Sequence, residues 1–108
     1  MIDWQRVATL RAEIGSVDFD EVVAMFLSES DEAVVRLRAG RPDPTLEAEL
    51  HFLKGSALNL GFTRLAELCS QGEKLAAAGK PVSLAMVTKS YDETLRAFKA
   101  GSGRDRAA

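Results

Sequence analysis

Apolar residues recur every third or fourth position along almost the whole chain, which is the period of an α-helix and not of a strand. Five runs follow from it. The first spans about Asp3 to Ile14, with Asp3 as its cap and Val7, Leu10 and Ile14 on one face. Gly15 and Ser16 break the pattern. The second spans about Asp18 to Ala39, striped by Phe19, Val23, Phe26, Val34 and Leu37 and widened by Val22 and Leu27. Ser30 shares that stripe, while Glu29, Asp31 and Glu32 read as a solvated face. After Gly40-Arg41-Pro42-Asp43-Pro44, the third run is expected to begin with Asp43 as cap and Pro44 at the first helical position, and to reach Leu60. Gly61 can end it in a left-handed conformation. Phe62 and Thr63 open the fourth, which carries Leu65, Leu68, Cys69, Gly72, Leu75 and Ala76 to about Ala78. Gly79-Lys80-Pro81-Val82-Ser83 is the next loop, and Ser83 is able to cap a last run to Ala100 that is striped by Leu84, Val87, Tyr91, Leu95 and Phe98.

Four long segments with one apolar face each, joined by short loops, predict an all-α fold. The expected architecture is an antiparallel four-helix bundle with a short additional N-terminal helix. A looser array of helix pairs is the other packing, and the short loops favour the bundle. Residues 1–100 are expected to form a single domain, with Trp4 as an N-terminal anchor. The stretch 101–108 has nothing to bury and is expected to be a disordered tail.

Composition narrows the chemistry. The chain has 108 residues, with 14 Lys+Arg against 16 Asp+Glu and a net charge of −2. That balance argues against a nucleic-acid binder. No apolar run approaches the roughly 18 residues of a membrane span, and the N-terminus lacks the order of a signal peptide, so a cytoplasmic location is expected. The single cysteine, Cys69, excludes an intrachain disulfide and a cysteine-based zinc site, and reads as a small core residue. No Gly-rich phosphate loop is present. A Cys-His or Ser-His-Asp apparatus would have to use the single histidine, His51, which makes it the first suspect for any chemistry.

A helical wheel of the third run makes His51 informative. At 100° per residue, with His51 at 0°, Leu46, Leu50, Leu53, Ala57 and Leu60 fall between about 180° and 260°, while Glu47, Lys54, Gly55 and Leu58 fall within about 60° of the histidine. His51 therefore points away from the core. A lone histidine in a small helical protein is most simply a surface or hydrogen-bonded residue. Gly55 weighs against that reading, because a glycine inside a helix costs roughly 1 kcal/mol relative to alanine. Removing a side chain one turn from His51 lets another molecule approach the imidazole. Lys54, three residues on, is either a solvated lysine or a cation that offsets negative charge arriving at the ring. Neutral imidazole is a good nucleophile near neutral pH, and phosphoryl transfer asks mainly for in-line access and charge stabilisation. His51 beside Glu47 is a poor metal ligand set.

The stretch His51-Phe52-Leu53-Lys54-Gly55-Ser56-Ala57-Leu58-Asn59-Leu60-Gly61 resembles the signature of the histidine-containing phosphotransfer (HPt) domain. Leu65-Ala66-Glu67-Leu68-Cys69 and Glu73 resemble that family's following helix. The specific likeness covers about Leu50 to Gly79. It implies a helical bundle that carries a phosphoryl group between receiver domains of a multistep phosphorelay. It further implies that His51 is the phosphorylated residue, that Lys54 stabilises the phosphoryl charge and that Gly55 gives the receiver room. Ser56 stands at a small, often hydroxylated position. Glu73 stands where a Glu or Gln orients the imidazole. The Mg²⁺ of the transfer would belong to the receiver, so no cofactor or metal is expected on this chain. One departure is Gly72, which replaces a bulky aliphatic residue and would loosen the fourth helix around Glu73.

The leading expectation is a free-standing, monomeric phosphocarrier that docks receiver domains of response regulators or hybrid histidine kinases on the His51 face. Val7, Leu10, Ile14 and Phe26 are candidates for the rim of that surface, with the core as the alternative place for several of them. The alternative is a helical interaction module that binds a partner without being phosphorylated. An autonomous kinase or hydrolase would need more titratable groups around His51 than Glu47 and Glu73.

Overall fold

The computed structural model describes residues 1–107, with side chains to residue 101. Five helices follow in order: α1 (Trp4–Ile14), α2 (Ser16–Arg38), α3 (Leu46–Leu60), α4 (Thr63–Ala77) and α5 (Leu84–Ala107). Each of α2 to α5 packs on two others, α3 and α5 flanking α2 and again flanking α4, which closes a four-helix bundle. The short α1 lies against α2 and α3. The fold is all-α, and its core runs through Phe19, Val34, Leu37, Leu50, Leu53, Leu60, Phe62, Leu65 and Tyr91.

Several helix ends differ from those the sequence predicts. Asp3 caps α1 as expected, its carboxylate accepting from the N–H groups of Gln5 and Arg6 at 3.1 and 3.2 Å. Gly15 alone makes the turn into α2, with φ 96°, and Ser16 is already helical. The third helix does not start at Pro44. Thr45 caps it, its hydroxyl accepting from Ala48 N–H at 3.1 Å, whereas the Asp43 N–H donates to the Glu49 carboxylate at 3.2 Å. Gly61 ends α3 with φ 75°, a region closed to most side chains, and a Cβ there would also meet the Asp3 carbonyl oxygen at 2.6 Å.

The stretch expected to be a disordered tail is instead the last part of α5 as far as Ala107, and Ala108 lies outside the described residues. The physical reason lies at Gly101. The Trp4 ring stacks on Phe98 with centroids 5.8 Å apart, and it covers Gly101 so closely that a Cβ would collide with it. Phe98 meets Phe62 edge-on at 5.3 Å. The Trp4 contact thus extends the packed part of α5 to Gly101.

Two polar features of the bundle were not expected. Glu49 is 2% exposed and forms a two-armed pair with Arg36 of α2, at 2.5 and 3.0 Å. Asp31 is not merely solvated, because it accepts the Tyr91 hydroxyl, which also lies 3.4 Å from the Leu27 carbonyl oxygen. Removing one partner of a buried pair leaves a bare charge, whereas removing both does not. Arg36→Met is therefore expected to lower the urea midpoint, and adding Glu49→Leu to recover most of the loss; equal midpoints for Arg36→Met and wild type would show the pair to be idle.

Gly72 does not loosen α4. A Cβ there would come 3.0 Å from Leu50 Cδ1 and 3.1 Å from Val82 Cγ1, so the bare glycine lets α4 close on both. Leu50 and Val82 fill the volume a larger residue at position 72 would take. Gly72→Val is expected to destabilise by about 1–3 kcal/mol through overpacking, read from denaturant unfolding. A gain in stability would remove this reading of the close packing.

Candidate functional site

His51 lies in the second turn of α3, on the side opposite the buried Leu50 and Leu53. Its side chain is 68% exposed. The structure brings it together with Glu73, 22 residues later on α4: His51 Nδ1 and Glu73 Oε1 are 2.6 Å apart. The other carboxylate oxygen, Oε2, accepts from Lys54 Nζ at 2.7 Å. Glu73 thus bridges two side chains of α3. The Lys54 hydrogen bond, opposed by partial burial and aided by the His51 bond, holds the Glu73 carboxyl below the usual carboxylate range.

An ionised carboxylate can only accept, so in the neutral ring the proton sits on Nδ1. The Nε2 lone pair is then left on the exposed side. An accessible imidazole with this tautomer is a nucleophile at Nε2. The Lys54 ammonium sits on the other oxygen of the same carboxylate.

The other predicted residues divide. A Cβ built on Gly55 meets nothing within 4 Å, so the bare backbone there is not required by the chain's own packing. Ser56 is buried, only 5% exposed, and faces inward rather than toward the imidazole. Val7 and Leu10 belong to the core and not to an exposed rim, because α1 lays them against the bundle; Ile14 and Phe26 are partly buried against that core. Leu58 is exposed and lines a groove of about 420 Å³ between α3 and α4, with Lys54, Ala66 and Ser70. A smaller hollow on the other side of Lys54 is bounded by Glu47, Ser70, Glu73 and Lys74. Ser70 and Lys74 escaped the sequence reading. They occupy α4 one turn before and one residue after Glu73, and the wheel of α4 against α3 would have found them.

Cys69 is fully buried beneath this site, and burial pushes its thiol up to about 12. It is a packing residue with no thiolate to offer. Among the described residues no group of three His, Cys, Asp or Glu could hold a metal ion, and no helix is long and apolar enough to cross a membrane.

The described residues thus form a helical bundle that presents a solvent-facing imidazole paired to an acid, and that acid also holds an ammonium. The chain belongs to the Hpt domain family, whose model matches residues 21–101, from within α2 to within α5. Hpt domains are phosphocarrier modules of phosphorelay signalling and interact with receiver domains. No curated protein and no solved structure matches the chain.

Proposed function

We propose that the chain is a cytoplasmic, monomeric phosphocarrier of a multistep phosphorelay, folded as one unit from α1 through α5, and neither a kinase nor a hydrolase. His51 Nε2 takes a phosphoryl group from a receiver-domain aspartyl phosphate and passes it to the aspartate of another receiver. Glu73 holds the Nδ1 proton and the ring's orientation. Lys54 offsets charge on the phosphoryl oxygens, and Gly55 leaves room for the receiver's backbone. Ser56 serves only to keep the inward face of α3 small. Mg²⁺ enters on the receiver.

The observation that carries this reading is the bridge from Glu73 to both His51 and Lys54. It gives the Nδ1 proton an acceptor, turns Nε2 toward solvent and keeps an ammonium on the same carboxylate, which suits an in-line phosphoryl acceptor. The test is transfer from ³²P-labelled, Mg²⁺-bound receiver domains to the intact chain. Acid-labile, alkali-stable label supports a phosphohistidine carrier. Binding of receivers with no label would turn the assignment to an interaction module.

Lys54→Ala is expected to slow transfer about tenfold, less than the 10²–10³ lost with a buried charge-stabilising donor, because this ammonium is partly solvated. Wild-type rates in that variant would reduce Lys54 to a surface residue.

A further inference from the structure

Glu73 holds two donors at once, and a phosphoryl group on His51 would compete for one of them. Lys54 is three residues from His51, on the same side of α3. Its ammonium is a flexible point charge with three donors. The carboxylate it now contacts carries one negative charge, whereas a phosphoryl group near neutral pH carries close to two. The phosphoryl oxygens are thus the stronger partner.

During transfer the Nε2 lone pair forms the N–P bond as the O–P bond of the aspartyl phosphate breaks, and the electron pair of that broken bond leaves with the receiver's carboxylate. The Nδ1 proton does not move. The product is a phosphorylated ring that is formally cationic, with hydrogen on Nδ1 and phosphorus on Nε2. If that ring kept its proton, the onward step would release neutral imidazole as the N–P electrons return to Nε2. If it lost the proton, the leaving group would be imidazolate, which departs far less readily.

The geometry points to an exchange of partners: Lys54 leaves Glu73 for the phosphoryl oxygens, and Glu73, relieved of its second donor, keeps the Nδ1 proton on phosphorylated His51 and so keeps the phosphoryl group transferable. This rests on the reading of His51 as the acceptor. Glu73 is then a positioning residue whose charge, and not only its shape, is used. A glutamine would hold the ring's orientation without that charge.

The surroundings suit the exchange. The charged groups that act on Glu73 are Lys54 and His51 of α3, and the Lys54 hydrogen bond is the larger influence. Glu47 of α3 and Lys74 of α4 border the adjoining hollow. Cys69, one turn back on α4, stays a neutral thiol at neutral pH. On its other flank α4 meets Val82, Met86 and Val87, with no charge to contribute. Glu73 is only 18% exposed, so water is a poor substitute for a departing ammonium.

The test is ³¹P and ¹⁵N NMR titration of the ring in the intact chain, charged by a Mg²⁺-bound receiver domain loaded with acetyl phosphate. In wild type the phosphorylated ring is expected to lose its Nδ1 proton at a pH about one unit above that of Glu73→Gln, a tenfold difference in proton affinity. The Lys54 ¹⁵Nζ signal is expected to move when wild type is phosphorylated, as the ammonium trades the Glu73 carboxylate for phosphoryl oxygens. His51→Gln, exposed to the same charged receiver, should show no such change. Equal midpoints in wild type and Glu73→Gln would overturn the role of the charge. A Lys54 ¹⁵Nζ signal that phosphorylation leaves unchanged would overturn the exchange. Absence of a wild-type phosphoramidate signal that His51→Gln removes would overturn the acceptor assignment itself. Circular dichroism of each variant separates these outcomes from loss of fold.

Discussion

His51→Gln is expected to abolish phosphoryl acceptance while leaving the helical bundle unchanged. No other histidine exists in the chain to take the label. The histidine side chain is largely exposed and makes no contribution to the core, so the stability change should stay within about 0.5 kcal/mol, the range of ordinary surface substitutions. Glu73 keeps its bond to Lys54, and a glutamine amide can donate to the freed oxygen. The carboxylate is thus not left bare. The measurement is ³²P transfer from charged receivers to both proteins, with thermal unfolding of each. Residual label on His51→Gln, stable or not, would place the acceptor elsewhere.

Substitution of Gly55 should separate stability from transfer, with opposite signs. The glycine sits mid-helix, and a Cβ there meets nothing in the chain, so Gly55→Ala should stabilise the helix by about 1 kcal/mol. Gly55→Gln adds a long side chain to the face of His51 and should slow transfer at least tenfold, equivalent to about 1.4 kcal/mol at the barrier, while the isolated protein unfolds no earlier than wild type. Transfer rates are read by single-turnover labelling, stability by denaturant midpoint. A Gln variant that transfers at the wild-type rate would leave this costly glycine without a functional reason, since the fold supplies none.

How far the sequence reached depended on how local each interaction is. The wheel of α3 separated Leu50, Leu53, Ala57 and Leu60 from His51, Lys54 and Gly55 because a 3.6-residue period needs no knowledge of the neighbours. The same wheel put Glu49 at about 160°, on the edge of the core stripe. Its burial needed Arg36, on another helix, to be seen. The Asp43-Pro44 pair imitates a helix start, and only the competing Thr45 hydroxyl and the Glu49 carboxylate show that the helix begins later. The stretch from Gly101 reads as having nothing to bury because its partner Trp4 lies nearly the whole chain away. Gly72 misled in the same way: its partners Leu50 and Val82 lie on other segments. Of the candidate site, the meeting of Lys54 with Glu73 required the register of two helices, which a single-helix pattern does not contain.

The tight turn between α3 and α4 bears on how the protein comes to life on the ribosome. His51 precedes Gly61 by ten residues and Glu73 follows it by twelve, which puts both about 15–18 Å from the turn along antiparallel neighbours. The two halves of the site therefore belong to one helical hairpin, and they meet once its loop of a few residues has closed. Closing such a loop takes tens of nanoseconds, and contacts so near in sequence carry little entropic penalty. The N-terminal residues then latch the same turn, with Asp3 N–H donating to the Gly61 carbonyl oxygen at 2.7 Å and Thr63 N–H to that of Met1 at 3.1 Å. Fraying at either end of the chain can leave the imidazole, the acid and the ammonium in register, so hydrogen exchange should find α3 and α4 the slowest to open.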